Sequence, residues 1–238
     1  FLDTDERKLN DRAASNESSS PDSGKALGTA EAGLNLNVSG IGTENNAIAS
    51  YRAAVDIMTD PISSNINLLA VPGIRDPLVQ GYASDKVKDY SLALHVRDIP
   101  MYDEDDGRMF DDTSSRRPDV TRTAETFAAL NVNNNYAAVY FPDVYVDDEE
   151  NFRRVKVPPS VAALGAMAFN DKVAYPWFAP AGFNRASLDF VKNVQVRLNQ
   201  ADRDELYDVR INPIATFPAG GFVIFGQKTL QLKKSALD

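Results

Sequence analysis

The chain of 238 residues contains no cysteine, one histidine and one tryptophan. Without thiols it can build neither a disulfide framework nor a thiolate metal site, a composition that suits folding in a reducing compartment. A lone histidine excludes a two-histidine zinc centre and a histidine proton relay. Positive charge is scarce: 25 Lys and Arg stand against 34 Asp and Glu, for a net charge of -9. That balance argues against general nucleic-acid binding, which needs a basic face to displace counterions, and against anionic membrane surfaces. No uninterrupted apolar run approaches the ~20 residues that span a bilayer, so no membrane insertion is expected. The chain opens on Phe1 with no signal-peptide pattern after it, and the missing initiator Met suggests a fragment of a longer protein.

What is present is an ordinary apolar content of 43% arranged in alternating patterns. Residues 11–32 are rich in Ser, Asn, Asp and Gly without apolar periodicity, so residues 1–32 are expected to form a flexible or partly disordered segment. Residues 33–238 are expected to form one core domain of a longer multidomain subunit. Leu34, Leu36 and Val38 alternate with polar residues as in a half-buried strand. A helix is predicted over Thr43 to Thr59, with Ala47, Tyr51, Ala54, Val55 and Met58 on its inner face, stopped by Asp60-Pro61.

Leu68-Leu69-Ala70-Val71, bounded by Pro72-Gly73, reads as a strand covered on both faces. A helix follows from Asp76 with Pro77 in its first turn, then a strand carrying Leu92, Leu94 and Val96. Asp119 caps a helix running to Leu130, and Tyr136 to Phe141 forms a further strand. Pro158-Pro159-Ser160 opens a helix carrying Val161, Leu164, Met167 and Ala168. Residues 202–208 form a short helix, and Ile211 to Ile224 a closing strand or hairpin turned at Phe217-Pro218-Ala219-Gly220-Gly221. Strands alternating with helices predict an α/β fold: a mixed, largely parallel sheet flanked by helices, with a closing β-hairpin near the C-terminus.

Motifs for chemistry fail one by one. The run Asp103-Glu104-Asp105-Asp106-Gly107 would place Tyr102 and Thr113 at EF-hand ligand positions, and neither supplies a carboxylate. Gly40-Ile41-Gly42 lacks the third glycine of a dinucleotide fingerprint, with Asn45 in its place, and no phosphate-cradling loop is present. Asn16-Glu17-Ser18 and Asn37-Val38-Ser39 match the glycosylation sequon, a pattern short enough to arise by chance. His95 has no nucleophile or ligand at a diagnostic spacing and reads as a structural sheet residue. Tyr175, Trp177, Phe178 and Phe183, interleaved with prolines, are expected to clamp a loop against the core. No catalytic, cofactor-binding or metal-binding residue is assigned.

One charged stretch has two readings. Asp147, Asp148, Glu149 and Glu150 stand just before Arg153, Arg154 and Lys156. The plain reading is a solvated polar loop, since surface ion pairs are common and individually weak. The sharper reading is a charge patch facing a neighbouring subunit, because complementary charges set register across interfaces.

The stretch from Val157 to Leu230 carries a specific order of motifs: Pro158-Pro159-Ser160, Pro176-Trp177-Phe178-Ala179-Pro180-Ala181-Gly182, Ile211-Asn212-Pro213-Ile214, Phe217-Pro218-Ala219-Gly220-Gly221 and Gly226-Gln227-Lys228-Thr229-Leu230. This succession resembles the core of contractile tail sheath proteins of tailed bacteriophages. Leu68 to Gly73 and Asn135 to Pro142 are similar to the same family more faintly. Glycine follows Pro-Pro-Ser only at Gly165, and Phe225-Gly226 stands where the family often has Trp-Gly.

The resemblance implies a structural subunit that stacks as hexameric rings around a tail tube and contracts to drive the tube through the host envelope. The implied partners are further copies of itself, the tail tube protein, and the baseplate and tail terminator proteins. The implied location is the virion, after assembly in the bacterial host cytoplasm. It also implies that a segment joining subunits lies beyond Asp238. Two other readings compete: the sheath of a related contractile injection system, and an α/β enzyme, which would show a phosphate loop or clustered acid and base residues after Val71, Pro100 or Pro142, where the sequence has prolines and dispersed acids.

Overall fold

A computed structural model describes residues 43, 45–103, 117–175, 177–218 and 220–233. The segment 1–32, the strand expected at Leu34 to Val38, both sequons, the Gly40-Ile41-Gly42 turn and most of the acidic run after Asp103 lie outside them.

The centre is a five-stranded sheet in the order β1 (Leu68–Ala70), β2 (Leu94–Arg97), β5 (Ala137–Phe141), β9 (Ile211–Phe217), β10 (Gly221–Ile224). β1, β2, β5 and β9 are parallel, and β10 returns antiparallel to β9 as the expected closing hairpin. Tyr102–Asp103 (β3) pairs with Pro118–Asp119 (β4). A separate three-stranded antiparallel sheet is ordered β7 (Arg153–Val157), β6 (Val144–Asp148), β8 (Val191–Val194). Nothing in the charged sequence of residues 147–156 signalled that second sheet.

Helices cover the parallel sheet on both faces. They are α1 (Asn46–Met58), α2 (Pro77–Tyr90), α3 (Val120–Ala129), α4 (Pro159–Val173) and α5 (Gln200–Asp208). Their starts follow local chemistry. Asp76 accepts from the Leu78 amide ahead of Pro77, Asp119 accepts from the Arg122 amide, and Asn199 with Asp202 forms a reciprocal capping box. α2 ends on Ser91 in the left-handed region, φ 61°.

The period-2 alternation of β5 divides the core. Ala138 and Tyr140 face α4, while Ala137, Val139 and Phe141 face α3 and α5. Buried on both sides, β5 is the central strand. Phe141 alone, 1% exposed, contributes about 2–3 kcal/mol of burial.

Several expectations need correction. β1 is an edge strand with Leu68 part-exposed, not a strand covered on both faces. The strand β2 begins at Leu94, and Leu92 is exposed. In α1 the inner face is Ile48 and Val55, while Ala54 and Met58 face solvent. In α4 the residues against the sheet are Ala162, Ala163 and Ala166, with Val161 exposed. Small side chains let that helix approach the strands closely, and Leu164 and Met167 pack part-buried against the same core cluster.

Candidate functional site

The C-terminal ends of the parallel strands carry a buried polar joint. Asp98, which follows β2, accepts from the Gly73 amide at 2.8 Å, the Ser160 amide at 3.1 Å and the Ser160 hydroxyl at 2.7 Å. Pro159 and Ser160 form the first turn of α4, so the Asp98 carboxylate also caps a helix N-terminus. Asp143, in the link from β5 to β6, pairs with Arg75 at 2.6 Å and stands 3.7 Å from Lys156 of β7. Its carbonyl accepts from the Gln195 amide beyond β8. The joint thus ties the parallel sheet, the antiparallel sheet and α4 at one place.

Burial dominates its electrostatics. Desolvation pushes Asp98 up to about 6, against the opposing pull of Arg75 and its hydrogen-bond donors. His95 shares a hydrogen bond with the Ser84 hydroxyl at 2.9 Å, and burial, then the neighbouring Arg97, holds it neutral at about 3. It is a structural sheet residue at physiological pH. Arg97 is itself lowered to about 10 by burial, with Asp85 opposing, and lies over the Phe127 ring.

A second polar tie connects motifs far apart in sequence. The Asn212 amide donates to the Val139 and Lys228 carbonyls and accepts from the Lys228 amide. The side chain of Asn212 in Ile211-Asn212-Pro213-Ile214 therefore holds the Gly226 to Thr229 segment as an extra strand would. No periodicity could have shown this.

The charged stretch is a β-hairpin. Asp147 lies opposite Arg154 and Asp148 opposite Arg153 in the β6–β7 register. Arg154 pairs with Asp147 at 3.0 Å and Arg153 with Asp148 at 3.4 Å. Asn151 folds back onto Asp148 through its amide and side chain, and that contact, with Arg153, keeps the Asp148 carboxyl below its usual range. Glu149 and Glu150 occupy the exposed turn, and Lys156 reaches inward to Asp143. The structure brings Asp147, Asp148, Arg153 and Arg154 together within one subunit and separates Lys156 from them.

The sequence missed two exposed apolar features. Phe152, at the hairpin tip, is 95% exposed with φ 49°. The aromatic cluster expected to clamp a loop on the core is largely solvent-facing. Tyr175 and Trp177 stack at 4.7 Å, with Trp177 75% exposed. Trp177 and Phe178 border a cleft of about 680 Å³ at the N-terminal ends of the strands. Contiguous exposed aromatics of this kind mark contact surfaces.

The acids at the strand ends, read in the sequence as dispersed, are clustered in space. Asp98 and Asp143 are each 1% exposed and already paired, so no substrate reaches them. The molecule is an α/β block held by buried polar ties, with its exposed charges and aromatic rings on the hairpin and around the cleft.

Comparison with known proteins agrees. A family model described as the phage tail sheath protein central domain matches residues 49–230, and the chain belongs to that family. It is 40% identical over 109 residues to the tail sheath protein of Vibrio phage KVP40, covering 46% of this chain and 16% of that protein. It is 33% identical over 109 residues to the tail sheath protein of Enterobacteria phage T4, with the same coverage. The chain therefore spans a small part of the curated relatives' length.

Among solved structures, the contracted helical sheath of the anti-feeding prophage matches with TM-score 0.51 and 22% identity, over 79% of this chain and 44% of that one. The contracted sheath complex of an extracellular contractile injection system, PVC, matches with TM-score 0.54 and 18% identity, over 79% and 50%. These relatives are structural sheath proteins, not enzymes.

Proposed function

We propose that the chain is the core block of a longer contractile sheath subunit. It polymerises as stacked hexameric rings around a tail tube and passes from a long metastable lattice to a shorter one, driving the tube through the host envelope. The match of residues 49–230 to the sheath central domain carries this reading. Its partners are further copies of itself, the tail tube protein, and the baseplate and tail terminator proteins, in a virion assembled in the bacterial cytoplasm. The sheath of a related contractile injection system is the second reading, favoured by the injection-system fold neighbours.

In either case the work comes from a difference in contacts between two lattices of one rigid block. The tied joint of Asp98, Asp143 and Arg75 supports a block that moves as a unit. The β6–β7 hairpin, with Asp147, Asp148, Glu149, Glu150, Arg153, Arg154 and Lys156, is the proposed charge patch at a subunit interface. Within it Glu149 and Glu150 supply the charge left over after the intra-hairpin pairs. Reversing the exposed Glu149 and Glu150 to Lys in the full-length protein, which leaves the Asp147–Arg154 and Asp148–Arg153 pairs in place, is expected to leave the fold intact and alter sheath length or contraction. Unchanged length and contraction under electron microscopy would reject the patch.

A further inference from the structure

The exposed hairpin tip and the aromatic cleft stand at opposite ends of the sheet, and their chemistries match. The β6–β7 hairpin follows the C-terminal end of β5. The cleft lies at the other end, lined by Leu94 and Ala138 near the starts of β2 and β5 and by Arg210 just before β9. A strand of five residues, as β5 is, spans about 17 Å, so the hairpin of one molecule points away from its own cleft.

The tip is built to present a ring. Phe152 sits in the left-handed region, where a bulky residue is strained, and the Asn151–Asp148 contacts hold the turn in that shape. With Asp147 and Asp148 paired across the hairpin, the uncompensated charges at the tip are Glu149 and Glu150.

The cleft offers the complement. Met167, Trp177, Phe178, Tyr207 and Leu232 form apolar walls around about 680 Å³, ample for one phenyl ring. Its cations outnumber its acids. Arg210 and Lys228 line it, Lys228 lying over Tyr207 at 3.5 Å, and Asp208 is the acid that lines it, while Arg185 lies nearby over the Phe178 ring at 4.8 Å. The Arg210 guanidinium makes no ion pair or hydrogen bond among the described residues, although the residue is half-buried.

We propose that Phe152, flanked by Glu149 and Glu150, seats in the cleft of a second copy of this chain, with the acids facing Arg210. The contact joins two different surfaces, so it is heterologous and propagates as an open helical array rather than closing as a dimer. It rests on the reading of the chain as a polymerising sheath subunit and names one contact of that polymer.

Residues 1–238 carry no cysteine, so cross-linking between copies is a direct test in the full-length protein once any cysteine elsewhere in it is replaced by serine. Glu150→Cys and Leu232→Cys are made singly and mixed under mild oxidation. A disulfide-linked pair that forms in the mixture, and not in either variant alone, supports the head-to-tail contact. Dimers from Glu150→Cys alone, or no cross-link in assembled tubes, overturn it. Phe152→Ser leaves an already exposed position exposed, so its folding is unaffected. It is expected to raise the concentration needed for assembly by at least about tenfold, with Arg210→Glu doing the same. Tubes that form equally well from Phe152→Ser overturn this contact while leaving the sheath reading intact. Absence of tubes from the unmodified protein overturns the sheath reading itself.

Discussion

Removing Arg75 isolates the energetics of the joint. In Arg75→Met, the Asp143 side chain, 2% exposed, loses a guanidinium at 2.6 Å and keeps, as its ion-pair partner among the described residues, Lys156 at 3.7 Å. Breaking a buried pair from one side costs about 3–5 kcal/mol, because a buried charge is left uncompensated. Lys156 remains and the Arg75 side chain is 14% exposed, so the lower end, about 3 kcal/mol, is expected.

For a domain of this size that loss lowers Tm by about 6–12 °C. Urea unfolding of the wild type, Arg75→Met, Asp143→Asn and the double variant supplies the cycle. Asp143→Asn removes the charge that needs a partner, so the double variant should recover at least about 1 kcal/mol relative to additivity. Full additivity, or a cost below about 1 kcal/mol for Arg75→Met, would refute the joint as an electrostatic tie.

Two further outcomes follow from the same geometry. Asp98 holds its proton to about pH 6 in the folded chain against 3.8 for the ordinary carboxyl, so protonation favours folding. Its charged form lowers stability as pH rises from 4 to 6 by about 3 kcal/mol, with no further change above. The stability difference between wild type and Asp98→Asn should vary over that window, and a difference constant from pH 4 to 7 contradicts the assignment. Among glycines, a Cβ on Gly226 would meet Asn212 Oδ1 at 2.8 Å and Pro213 at 3.1 Å, whereas on Gly165 it meets Phe190 no closer than 3.6 Å. Gly226→Ala should cost about 1–3 kcal/mol, while Gly165→Ala, in the exposed face of α4, should gain about 0.5–1 kcal/mol. Thermal melts giving the same sign for both would contradict the packing.

Much of the fold was legible because its signals are local. Asp76-Pro77, Asp119 and Pro158-Pro159-Ser160 mark helix starts through backbone chemistry within a few residues, and the structure places helices there. The YAAVYF run reads as a strand, and the structure makes it the central one, with its apolar residues covered on both faces. The hidden parts depend on distant residues. The strands β6 and β7 are half polar, and their form rests on cross-strand pairs such as Asp147 with Arg154 and Val146 with Val155. The alanine face of α4 is set by how closely the sheet approaches, which residue size alone does not show. Asp98 meets Ser160 and Asn212 meets Lys228 only after folding. Phe152 looked like one apolar residue in a charged run, and its exposure is visible only in three dimensions.

The central claim is that this chain belongs to a subunit that polymerises by itself into a sheath. The most direct measurement is negative-stain electron microscopy of the full-length protein at high concentration with no other viral protein present. Regular hollow tubes with a helical repeat are expected. Persistent monomers under those conditions, from protein shown to be folded, would contradict the claim.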